Sequence, residues 1–82
     1  MTAIEKLLDR ICRNPRDVRF DDACKVAEHL VFARQPTGGG SHTRFKRLGE
    51  ITQLNFQNRS GNVPTYQAEQ LIEMIEKYRM TQ

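Results

Sequence analysis

His42 is the residue of this 82-residue chain best suited by type and setting to move a proton. It follows Gly38-Gly39-Gly40-Ser41 and opens the run His42-Thr43-Arg44-Phe45-Lys46, in which histidine, arginine and lysine recur at every second position. On an extended strand that spacing sets the three on one face, about 7 Å from one to the next. Histidine exchanges a proton near neutral pH, and guanidinium and ammonium groups hold phosphate. Together they suit general acid–base work beside a bound polyanion: the imidazole exchanges the proton and the cations hold the negative charge. The same spacing occurs in a solvated basic strand that carries a plain surface histidine, and the residues alone leave both readings open.

Charge supports a polyanion surface in the middle of the chain. Lys and Arg number 13 against 10 Asp and Glu, a net +3. Residues 34–59 hold Arg34, Arg44, Lys46, Arg47 and Arg59 against Glu50 alone, a local +4, and the rest of the chain nets −1. The glycine run lacks the Gly-Lys-Ser/Thr ending of a nucleotide P-loop and precedes a strand, so a nucleotide cofactor is not expected. What remains is a plain flexible turn or a loop at which an RNA or DNA backbone approaches Gly39, Gly40 and Ser41 closely. Cys12 and Cys24 sit in helix-like apolar patterns without CxxC spacing, and with His29 and His42 they show no metal-ligand spacing. Core thiols, no metal and no cofactor are therefore expected. Neither Ser41 nor Cys24 has a recognisable acid–base relay.

These residues need a frame. Thr2 caps and Glu5 supports a helix carrying Ile4, Leu7, Leu8 and Ile11, ended by Asn14-Pro15. Asp21 reads as the N-cap of a second helix through Leu30, with Ala23, Val26 and Ala27 on its apolar stripe. Val31 to Gln35 reads as a strand. His42–Leu48 and Ile51–Gln57 read as a hairpin about a Gly49-Glu50 turn. That register sets Phe45 opposite Leu54 and Thr43 opposite Phe56 on one face. The other face then carries His42, Arg44 and Lys46 across from Gln57, Asn55 and Gln53. Pro64-Thr65 precedes a third helix with Ala68, Leu71, Ile72 and Ile75 inside, closed by Tyr78 and Met80. The expected order of helix, helix, three strands, helix gives an α+β fold whose helices cover one face of a three-stranded antiparallel sheet and leave the basic face open. Phe45, Leu54, Phe56, Leu30, Leu71 and Ile75 are its expected shared core. The length allows one compact domain, and the absence of a long apolar run or signal-like start points to a cytoplasmic protein without a membrane segment.

Phe20-Asp21-Asp22 at the start of a short helix, the Gly40-Ser41-His42 step with Phe45 three residues on, and Val63-Pro64 before the last helix resemble the HicA family of bacterial toxins. The resemblance covers about residues 20–79. It implies a fold like the double-stranded RNA-binding domain over 20–82, with 1–19 as an N-terminal helical extension. It also implies a metal-independent endoribonuclease that cleaves messenger RNA with His42. Arg34, Arg44, Lys46, Asn55, Gln57 and the Gly39-Gly40-Ser41 segment are the expected RNA-binding residues. The partner it implies is an antitoxin similar to HicB that covers His42 and contacts DNA on behalf of the pair. Two positions depart from the family. Val31 stands where members often have glycine, and Thr65-Tyr66-Gln67 lacks the second histidine of some members, so a two-histidine mechanism is not carried over. A non-catalytic RNA-binding module of the same fold is the alternative, and a domain whose basic face binds an acidic protein is a third reading.

Overall fold

The computed structural model describes residues 2–36 and 42–79. Its elements are α1 (Ala3–Arg13), α2 (Phe20–His29), β1 (Ala33–Arg34), β2 (His42–Lys46), β3 (Leu54–Gln57) and α3 (Thr65–Arg79). The strands form one antiparallel sheet in the order β1-β2-β3. This is the α+β architecture expected from the sequence. The helices α2 and α3 lie against the sheet, and α1 packs on α2 and α3. No helix among the described residues is long and apolar enough to cross a membrane.

Hydrophobic alternation fixed the β2–β3 register. Phe45 pairs with Leu54, Thr43 with Phe56, Arg44 with Asn55 and His42 with Gln57. A slip of one residue would move Phe45, Leu54 and Phe56 into water, so the pairing is strongly specified. All three are buried with Leu30, Leu71 and Ile75, as the stripes require. Phe45 and Phe56 meet as tilted rings with centroids 5.7 Å apart, a contact worth about 1 kcal/mol beyond burial. Leu8 and Ile11 of α1 and Val18 after it join the same core, so residues 2–19 are built into the domain rather than appended to it. Thr2 caps α1 by accepting the Glu5 N–H at 3.2 Å. Surface ion pairs, Arg10 to Asp22 at 2.9 Å and Arg79 to Asp9 at 2.8 Å, link α1 to α2 and α3.

Three local expectations are corrected. Helix α2 begins at Phe20 with Arg19 at its N-cap position and no side-chain cap; Asp21 lies in the first turn. The cause is backbone pairing, since Phe20 N–H donates to Gly61 O and Val63 N–H to Val18 O, which fixes the helix start from 41 and 45 positions away. The first strand keeps only Ala33–Arg34 of the expected 31–35. Val31 has φ +69°, while Val31 N–H donates to Glu28 O and Phe32 N–H to Ala27 O. These are the two hydrogen bonds of a Schellman turn with valine in the left-handed position that glycine usually fills. The hairpin turn is also longer than two residues. Residues 47–53 connect the strands, so Gln53 does not pair with Lys46.

That connection owes its shape to two inward-turned charges. Arg47 donates to the Leu30 carbonyl at 2.8 Å and stacks on the Tyr78 ring at 3.5 Å. Glu50, its side chain only 3% exposed, accepts from Lys77 at 2.7 Å, from the Tyr78 hydroxyl, and from the Thr52 N–H at 2.9 Å. These donors hold the Glu50 carboxyl down at about 2 against an ordinary 4.5, the Lys77 ammonium first among them. Gly49 takes φ +82° to make the turn, and Leu48 and Ile51 are left exposed on either side of the buried carboxylate.

Candidate functional site

The sheet face away from the helices is a polar surface centred on β2. His42, Arg44 and Lys46 alternate with the inward Thr43 and Phe45, and all three are exposed. None of them makes a side-chain hydrogen bond or ion pair among the described residues. On one side of this column stand Gln57 beside His42 and Asn55 beside Arg44. On the other, Ala33 pairs with Lys46, and the Gln35 N–H donates to Arg44 O at 2.8 Å, which brings Gln35 level with Arg44. Arg44 is thus flanked by two side-chain amides, a pattern that supplies both donors and acceptors around a fixed positive charge. Gln35 escaped the sequence reading because its place depends on the β1 register, which no local pattern reveals.

The cations of residues 34–59 do not share one surface. Arg44 and Lys46 share the open face with His42. Arg34 does not: it pairs with Phe45, its guanidinium lies 5.4 Å from that ring's centroid, and it stands beside the Cys24 thiol of α2. Burial pushes that thiol up, with Arg34 opposing the shift. The structure therefore sets Arg34 on the helix-covered side, apart from Arg44, Lys46, Asn55 and Gln57. Arg47 is committed to Leu30 and Tyr78. Arg59 is exposed in the loop after β3 and pairs there with Asn62 through backbone bonds. Gly39, Gly40 and Ser41 lie outside the described residues.

No protein-family model, curated protein or solved structure matches the chain. The geometry of the face therefore has to carry its own reading. Grooves among the described residues run along α1 and between α1, α2 and α3. An exposed line of cations without side-chain partners among the described residues suits an extended polyanion better than a small enclosed ligand. Among the described residues no group of three His, Cys, Asp or Glu side chains is arranged to hold a metal ion. Cys12 and Cys24 are free thiols, half-buried and buried respectively. His29 is exposed at the end of α2, away from the basic column.

The end of the face at His42 has a support that the sequence did not reveal. Gln67, 4% exposed in the first turn of α3, accepts the Gln57 N–H at 2.7 Å through its side-chain oxygen. Its amide nitrogen donates to the Tyr66 hydroxyl at 3.2 Å. One buried amide thus locks the end of β3, opposite His42, onto α3.

Proposed function

We propose that this chain is an RNA-cleaving toxin of the HicA type, with the open sheet face as its RNA surface and His42 as its general base. The observation that carries the reading is the division of the cations. Arg34 lies over the Phe45 ring and Arg47 is held by the Leu30 carbonyl and Tyr78, whereas Arg44 and Lys46, in line with His42, have no side-chain partner among the described residues. Arg44 and Lys46 hold the phosphate; His42 removes the proton from the adjacent 2′-hydroxyl. The 2′-oxygen then bonds to phosphorus, the bond from phosphorus to the 5′-oxygen breaks, and the leaving oxygen takes up a proton. Asn55 and Gln57 bind alongside. No metal or cofactor takes part. A toxic nuclease with a shallow site is most simply silenced by a protein that covers it, so the proposed partner is a HicB-like antitoxin with an acidic surface facing Arg44 and Lys46, and the site of action is the cytoplasm.

The deciding experiment compares wild type and His42→Ala on one unstructured RNA, measuring binding and cleavage separately. Cleavage is expected to fall by about 100- to 10,000-fold, with binding and melting temperature retained. Wild-type protein that binds RNA without cutting it would establish the non-catalytic module instead. Cleavage undiminished in the variant would remove His42 from the mechanism.

A further inference from the structure

We infer that Tyr66 is a stacking platform for one base of the bound RNA, placed at the β3 edge beside the His42 row. The inference rests on the RNA reading of the open face and adds a contact that reading does not contain. Among the described aromatic residues Tyr66 alone is exposed, at 57%. Phe32, Phe45 and Phe56 are buried, and Tyr78 is engaged by Arg47 and Glu50.

Position gives the exposed ring its meaning. Side chains of a helix lean toward its N-terminus, so a residue in the first turn of α3 projects past the helix start, toward the strand it follows. The Gln67 amide makes that connection explicit, bonded at one end to Gln57 and at the other to the Tyr66 hydroxyl. Gln57 in turn is the cross-strand partner of His42. The ring is therefore tethered to the same end of the sheet as the proposed base. A ribose-phosphate chain held along β2 by Lys46 and Arg44 reaches His42 at that end, and a base turned toward the β3 edge meets the ring. Sequence-specific and sequence-tolerant binding of single-stranded RNA both use aromatic rings in this way, because every base has a stackable face. The hydrogen bond to Gln67 restricts the ring in advance, which lowers the ordering cost of binding.

The test uses a short single-stranded 2′-O-methyl RNA, which cannot be cleaved, and a set of the same oligomer with one base at a time replaced by an abasic site. Tyr66→Ala is expected to weaken binding by about 5- to 150-fold, as loss of one stacked base does. Tyr66→Phe, which keeps the ring, is expected to bind much more nearly like wild type. One abasic position is expected to weaken wild type strongly and Tyr66→Ala hardly at all, the signature of a direct contact. Equal binding by wild type and Tyr66→Ala, or an abasic scan in which no position loses its effect in the variant, overturns the stacking inference and leaves the RNA reading standing. Wild-type protein that binds none of these oligomers at low salt, and no cleavable RNA either, overturns both.

Discussion

At the Lys46 end of the β2–β3 pair, Arg47, Glu50, Lys77 and Tyr78 satisfy one another around the Leu30 carbonyl. Along the open face, His42, Arg44 and Lys46 have no side-chain partner among the described residues. The two regions adjoin at the end of β2, yet one spends its charges on holding a loop and the other leaves them in water. Arg44 and Arg47 show the contrast most closely, three positions apart and on opposite duties. A charged residue supports function only after its structural obligations have been counted. A net charge of +4 over residues 34–59 therefore overstates what is available to a ligand.

The sharpest way to break the contrast is to remove the carboxylate at the tethered end. Glu50→Gln is expected to lower the melting temperature more than Arg47→Ala, Arg44→Ala or Val31→Gly, with RNA affinity little changed. Its pH signature is specific. The folded carboxyl sits at about 2, below its ordinary 4.5, so its contribution is fully present above pH 4.5 and is lost as pH falls from there toward 2. Melting temperatures measured across that window should fall more steeply for wild type than for the variant. A parallel decline in both proteins would mean that Glu50 does not hold the loop.

The paired arginines come next. Arg47→Ala should cost about 1–2 kcal/mol, from the loss of the donor to Leu30 O and of the ring contact, measured by denaturant titration. Arg44→Ala should change stability by less than about 0.5 kcal/mol. Its effect belongs in binding: the slope of log affinity against log salt should drop by about 0.7 for single-stranded RNA. An Arg47→Ala variant that lowers the salt slope while Arg44→Ala does not would invert the assignment.

The smallest effect sharpens the entry to the sheet. Val31→Gly removes a β-branched side chain from φ +69° in the turn after α2. The variant should be more stable by about 0.5–1 kcal/mol, because the relief of strain exceeds the added chain entropy and the side chain is largely exposed. A destabilised variant would show that the exposed valine contributes packing.

Periodic features were legible in the sequence, and singular ones were not. The alternation of Phe45, Leu54 and Phe56 fixed the hairpin register and both faces of β2, because one buried face leaves no second solution. The stripes of α1, α2 and α3 located the core in the same way. The start of α2 was misplaced because it is set by pairing with residues 61–63, and a local capping signal at Asp21 competes with that distant constraint. Glu50 read as a turn residue because its partners Lys77 and Tyr78 lie 27 and 28 positions away. At the site, the column of His42, Arg44 and Lys46 was readable from spacing alone. The removal of Arg34 to the other side, and the arrival of Gln35, Tyr66 and Gln67, required the fold.

The bond from Gln57 to Gln67 also bears on how the protein keeps to itself. The outward peptide groups of β3 are those of Asn55 and Gln57, because Phe56 and Leu54 face β2. With the Gln57 N–H already taken by a side chain, that edge offers too short a ladder to template a fourth strand from another molecule. The opposite edge is blunted as well, by a strand of two residues followed closely by Pro36, which has no N–H to give. Neither edge of the sheet then offers a long ladder of free peptide groups to another molecule.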